Sequence, residues 1–189
     1  MKLLFLLLII IPKLVYALPE CPKDSDASWD ECIGQAVLEG VKYYDGEWRE
    51  NRINGQGVMS ITNYWEYKGF FKDDAFHGEG VMMWTNQIYD GGWVNGAFHG
   101  QGTFTIYDVA TYVGGWVNGA KVGRGTMFYP DGTKHSGIWK NGKLNGQVTV
   151  TCADKEILVG EYIFDKEKES PSLTLPDGST ILFKKNGSC

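Results

Sequence analysis

A glycine ruler limits what this chain can fold into. Gly46, Gly69, Gly91, Gly114, Gly137 and Gly160 stand 23, 22, 23, 23 and 23 residues apart. A second series follows at Gly55, Gly78, Gly100, Gly123 and Gly146, and a third at Gly57, Gly80, Gly102 and Gly125, with Val148 in that place in the fifth copy. Two residues after the first glycine of each copy comes an aromatic: Trp48, Phe71, Trp93, Trp116, Trp139 and Tyr162. Two residues before it come Tyr44, Tyr67, Tyr89 and Tyr112, then His135 and Leu158. A period of this length marks an array of supersecondary units, each of which buries a core only by stacking on its neighbours.

Each unit reads as two strands. Tyr, Gly and Trp at i, i+2 and i+4 share one face of an extended chain, so the glycine opens a gap over which the flanking rings can lie. Gly57, Met59 and Ile61 share a face of the next strand, as do Gly80, Met82 and Trp84, and then Gly102, Phe104 and Ile106. Apolar residues at helical spacing are absent from this region. Asn95-Gly96, Asn118-Gly119 and Asn141-Gly142 supply hairpin tips within units, and Asn63, Asn86, Asp108, Asp131, Asp154 and Asp177 mark the opposite tips. The expected fold is all-β: a meandering antiparallel sheet of stacked hairpins of about 23 residues, elongated along the repeat direction. Gly46, Gly69, Gly91, Gly114, Gly137 and Gly160 are its structural glycines, and Gly91→Val is expected to strike the rings of Tyr89 and Trp93.

The pattern Tyr-x-Gly-x-Trp, an Asn-Gly tip and Gly-x-Gly resembles the MORN repeat family. The resemblance runs from about Tyr43 to Val150, with a degraded sixth unit and a partial seventh beyond. It implies an elongated, twisted, antiparallel single-layer sheet of stacked hairpins and a role in interaction or scaffolding more often than catalysis, and it carries over no catalytic residue; a non-enzymatic protein is the expectation.

Residues 1–17 have Lys2, an apolar run from Leu3 to Ile11, and a Val-Tyr-Ala end, which reads as a signal peptide. The run is about half of the ~20 residues a membrane span needs. Export to a periplasmic, extracellular or secretory-lumen location follows as an expectation, with residues 18–42 as a disulfide-capped segment, 43–152 as five repeats, and 153–189 as a degenerate repeat and cap. Losing Lys2 and Lys13 with the leader takes the formal charge from −5 to −7. That acidity argues against nucleic acid, whose phosphates need Lys and Arg, and against anionic headgroups.

All four cysteines survive removal of the leader, an even number suited to an oxidising compartment. Cys21 and Cys32 are expected to bridge ahead of the first repeat. Cys152 reads either as a buried core thiol or as the partner of Cys189, with Cys189 otherwise free or intermolecular. Whether Glu31 to Gly40 begins as a helical turn or a strand is open at this level. In the sixth unit, Asp165-Lys-Glu-Lys-Glu169 and Pro171 replace the tip and Gly-x-Gly, as a terminal cap would.

Catalytic and cofactor signatures are absent: no Gly-x-Ser-x-Gly, His-Glu-x-x-His or Cys-x-x-Cys occurs, and the glycine pairs lack the following helix that a phosphate loop needs. His77 and His99 share one slot, but equivalent residues stand about 10 Å apart, too far for one zinc without leaning. The expected partner is a protein, with self-association through sheet edges open. The alternative is envelope glycan or lipid, held by a ligand face made of Tyr44, Trp48, Tyr67, Phe71, Tyr89, Trp93, Tyr112, Trp116 and Trp139.

Overall fold

The computed structural model describes residues 18–24, 27–38, 42–165 and 170–183. The leader, the charge run at 166–169 and Cys189 lie outside them. Strands follow in chain order: β1 (Cys32–Leu38), β2 (Lys42–Arg49), β3 (Arg52–Ile61), β4 (Trp65–Lys72), β5 (Ala75–Trp84), β6 (Gln87–Val94), β7 (Ala97–Ile106), β8 (Ala110–Val117), β9 (Ala120–Phe128), β10 (Lys134–Lys140), β11 (Lys143–Thr151), β12 (Ile157–Asp165), β13 (Ser170–Thr174) and β14 (Thr180–Leu182). All lie in one unclosed antiparallel sheet, each strand beside its sequence neighbours, and no helix occurs among the described residues.

Alternation builds two faces. Along β2, Tyr44, Gly46 and Trp48 are buried while the residues between them look outward. The glycines pair across strands in an unbroken column: Gly34, Gly46, Gly57, Gly69, Gly80, Gly91, Gly102, Gly114, Gly125 and Gly137. Each tyrosine ring bends back over this column. A β-carbon on Gly57, Gly80, Gly102 or Gly125 would stand 2.5, 2.3, 2.5 or 2.4 Å from the hydroxyl of Tyr44, Tyr67, Tyr89 or Tyr112. The fifth unit changes both partners. His135 replaces the tyrosine, and Val148 then fills the column between Gly137 and Gly160.

The second glycine series does something else. Gly91 faces Gly102 but Trp93 faces Phe98, so Gly92 alone opposes His99, Gly100 and Gln101. The same two-residue excess recurs at Gly46, Gly69, Gly114 and Gly137. Gly55, Gly78, Gly100, Gly123 and Gly146 sit in these bulges at φ between 62° and 74°, a left-handed conformation that glycine adopts without penalty. Because the excess is two residues and not one, the inward and outward assignment of the strand is kept across the bulge.

Tips within units are type I′-like, with both central residues at positive φ: 49° and 79° at Asn95 and Gly96. Glu50-Asn51 and Asp73-Asp74 take the same shape without glycine, at 49° and 59° and at 48° and 68°. Each tip also bonds the preceding unit: the amides of Asp74, Gly96, Gly119 and Gly142 donate to the carbonyls of Ile53, Phe76, Phe98 and Lys121.

Both ends are capped. Cys32 begins a strand, β1, where the sequence left helix and strand open, and Cys21–Cys32 is a disulfide. The bridge ties Pro19 and Cys21 along the outer edge of β1, where the Cys21 amide donates to the Ile33 carbonyl and the Ile33 amide to that of Pro19. Trp29 closes edge-on against Trp48, with ring centroids 4.9 Å apart. At the other end, β13 and β14 form the expected hairpin around Asp177-Gly178, and Phe183 packs 4.9 Å from the His135 ring. Cys152 is buried and disulfide-bonded, which corrects the reading of it as a core thiol. Its expected partner, Cys189, is outside the described residues.

Candidate interaction surface

The nine rings offered by the sequence as a ligand face are inside. Tyr44, Tyr67, Tyr89 and Tyr112 are 0–1% exposed, and Trp48, Phe71, Trp93, Trp116 and Trp139 are 3–8% exposed. Each tyrosine meets the aromatic of its own strand edge-to-face, at 5.1–5.3 Å for Tyr44–Trp48, Tyr67–Phe71, Tyr89–Trp93 and Tyr112–Trp116. Every polar tip in this stack is bonded. The four tyrosine hydroxyls donate to the carbonyls of Glu47, Phe70, Gly92 and Gly115 at 2.9–3.2 Å. The indoles of Trp48, Trp93, Trp116 and Trp139 donate to Gly34, Gly80, Gly102 and Gly125 at 3.0–3.2 Å, so each reaches back to the preceding strand pair. Burial raises the pKa of these phenols, to about 12 at Tyr112 and further at Tyr44, Tyr67 and Tyr89. Their protons therefore stay in place at any physiological pH.

A second rank of apolar side chains covers the first. Phe98 stacks flat on Tyr89 at 3.7 Å and Phe76 on Tyr67 at 4.1 Å. In the next unit Lys121 takes that slot, with its ammonium 4.9 Å from the Tyr112 ring and 5.1 Å from Trp139, and burial lowers its pKa. Phe76, Phe98, Trp65, Trp84 and Phe104 remain partly open on this ring face. These five are what the ruler missed. The signal was present in the second strands, where Trp84 and Phe104 follow the third glycine on the inward side.

At the amino-terminal end this face opens into a trough of about 640 Å³, lined by Leu38, Trp48, Ile53, Met59, Trp65 and Phe76, with Lys42 and Asp74 at its rim. Its size and mainly apolar lining with few charged groups are those of a binding site. A second hollow of about 500 Å³, of mixed polar and apolar lining, runs past Glu47, Arg49, Phe70, Lys72 and His77.

The histidines do not assemble. Nδ1 of His77 and of His99 is buried in the bulges without a hydrogen-bond partner, and His135 lies in the carboxyl-terminal core. Cys152, Asp154 and Glu156 form the sole metal-type grouping among the described residues. The Cys152 sulfur is already in a disulfide, leaving two exposed carboxylates, and Asp154 is occupied with the Glu156 amide.

Repeated hairpins with a tyrosine-covered glycine column and a shared aromatic core define a solenoid-like β-repeat protein. A family model for the MORN repeat matches residues 44–65, 67–87, 89–108, 112–134 and 135–155, and the chain belongs to the MORN repeat family. Such repeats are commonly modules that engage proteins or membranes, and they are generally non-catalytic. Comparison with curated proteins returns no match. No helix among the described residues is long and apolar enough to cross a membrane.

Proposed function

We propose that this protein is a non-enzymatic interaction module that acts outside the cytoplasm and holds a protein partner on its ring face. One observation carries the reading: the trough between Leu38 and Phe76 leaves Leu38, Trp65 and Phe76 partly open over the buried Trp48, Ile53 and Met59, while the repeated tyrosine and tryptophan rings are closed against one another. Exposed apolar surface of this kind on a soluble fold marks a contact site. The family's usual role in interaction supports it, as does the lining, whose apolar side chains offer anchors for a partner side chain.

Export is supported by the leader pattern of residues 1–17 and by the Cys21–Cys32 bridge, which belongs to an oxidising compartment. Self-association through edges is best served by β14, since β1 already carries the Pro19 to Cys21 segment.

The test uses the mature protein as bait in extracts of its own source, with the retained protein identified and then titrated in purified form. Leu38→Glu places a carboxylate in the trough from a partly exposed position. The expected result is loss of partner binding with the thermal melt retained. Partner affinity unchanged in a folded Leu38→Glu protein overturns the trough as the docking face.

A further inference from the structure

The edge opposite the Asn-Gly tips carries a second cluster, and its chemistry differs from that of the trough. Tyr64 is 74% exposed at the tip between β3 and β4. Beside it lies the partly buried Trp84 at the end of β5, and around the two rings stand Asn63, Thr85, Asn86 and Gln87. Two adjoining hollows of about 480 and 230 Å³ share Asn63, Tyr64, Trp84 and Thr85.

Two properties set this cluster apart. The smaller hollow has no charged residue in its lining, and the larger has only Glu66. In a chain with 23 acidic and 18 basic residues, two abutting tips made of rings, amides and hydroxyls are a local exception. The amides are also unused. Asn51 and Asn54, at the other edge, accept from the Trp29 and Asp73 backbone amides and so serve the fold. The side chains of Asn63, Asn86 and Gln87 make no hydrogen bond among the described residues, and neither does the Tyr64 hydroxyl. The backbone beneath them is nonetheless fixed: the Tyr64 amide donates to the Ile61 carbonyl at 2.9 Å, and the Tyr107 amide ties the next tip to the Asn86 carbonyl at 3.0 Å.

We propose that this tip cluster is a site for neutral oligosaccharide. A pyranose presents an apolar C–H face and a rim of hydroxyls that both donate and accept. Tyr64 and Trp84 supply flat apolar surface for the first, and planar amides, which carry donor and acceptor side by side, suit the second. Neighbouring tips are two strand spacings apart, roughly 10 Å, the reach of a disaccharide. Nucleotides would also stack on the rings, but the cluster has no Lys or Arg in its lining to meet a phosphate. A docked peptide would look for a free strand edge, and β3 to β6 are paired on both sides. Of the two rings, Tyr64 stands outside the ring face, while Trp84 also edges it beside Phe98 and Phe104; the tip cluster and the trough share only Trp65 in their linings, and Leu38 belongs to the trough alone.

The experiment titrates the mature protein with short neutral oligosaccharides built from glucose, mannose or N-acetylglucosamine, read by calorimetry and by tryptophan fluorescence, with sulfated oligosaccharides as a charged comparison. At least one neutral series is expected to bind with a change in Trp84 emission. Tyr64→Ala and Asn86→Ala are each expected to weaken it roughly tenfold, about the contribution of one stacked ring or one paired amide. Both positions are at the surface, so the thermal melt should hold, and Leu38→Glu should leave the binding intact. No binding of any neutral series at millimolar concentration overturns the proposal. So does binding that survives Tyr64→Ala and Asn86→Ala, or that is lost with Leu38→Glu.

Discussion

The Tyr89 hydroxyl occupies the space that a side chain at Gly102 would need: a β-carbon there would stand 2.5 Å from the oxygen, which is itself bonded to the Gly92 carbonyl at 2.9 Å. Neither group can yield cheaply. Gly102→Ala is therefore expected to cost about 2–3 kcal/mol, as overpacking in a closed core does. Gly100, two residues earlier at φ 74°, has nothing within 4 Å of its would-be β-carbon. There Ala should cost only about 1 kcal/mol of backbone strain. Urea unfolding of the two variants separates the roles; equal losses would mean that the tyrosine does not guard the column. Gly91→Val meets a harder obstacle than the rings expected from the sequence, since its β-carbon would lie 2.5 Å from the Gln101 carbonyl and the Gly102 α-carbon, and 3.0 Å from the Tyr89 hydroxyl.

Alkali should unfold the array. The buried phenols have pKa values above the ordinary 10.0, so the folded state holds protons that the unfolded state releases. Stability from this source is complete below pH 10 and falls as pH rises through about 12 at Tyr112 and higher for the others, by at most about 1.4 kcal/mol per pH unit for each ring. Phenolate absorbance of these tyrosines should appear together with loss of the β-sheet circular dichroism, not before it.

Opening the Cys21–Cys32 bridge removes a constraint of 11 residues in sequence separation, worth about 3 kcal/mol by loop entropy. Because β1 pairs only with β2 and the short edge segment, the loss should be local. Hydrogen exchange in a Cys21→Ser/Cys32→Ser protein is expected to quicken in β1 and β2 while β6 to β9 keep their protection.

Glu50 sits at φ 49° in a tip where the third, fourth and fifth units carry Asn95, Asn118 and Asn141. Glu50→Asn should raise stability by about 0.5 kcal/mol, because Asn tolerates the left-handed region better. A lower melting temperature would show that the Glu50 side chain has an unrecognised role.

The hairpins, their tips and the glycine register were legible because period-2 alternation and Asn-Gly turns are local signals. The bulges were not. In Gly-x-Gly the two glycines look alike, and only the folded chain shows Gly100 in a left-handed turn while Gly102 lies flat under a ring. The true occupancy of the ring face was hidden for a related reason. Tyr89 and Trp93 repeat on the ruler and so drew attention, yet repetition marked what must be buried in every unit. Trp65, Trp84 and Tyr64 vary from unit to unit and remain available. Only the folded chain couples the exchange of tyrosine for His135 to the Val148 that stands in the glycine column between Gly137 and Gly160.

Indoles that reach back to the preceding strand pair also give the array a direction under load. Pulling on the two ends of the sheet would pass the same tension through each hairpin in turn, and each Trp-to-glycine bond would resist as a rung tying one unit to the last. The second unit, with Phe71 in place of tryptophan, lacks that rung. Within the run from Trp48 to Trp139, that is where a stretched molecule should open first, with the capped amino-terminal hairpin and the Trp93 to Trp139 block separating as two units still joined by the chain.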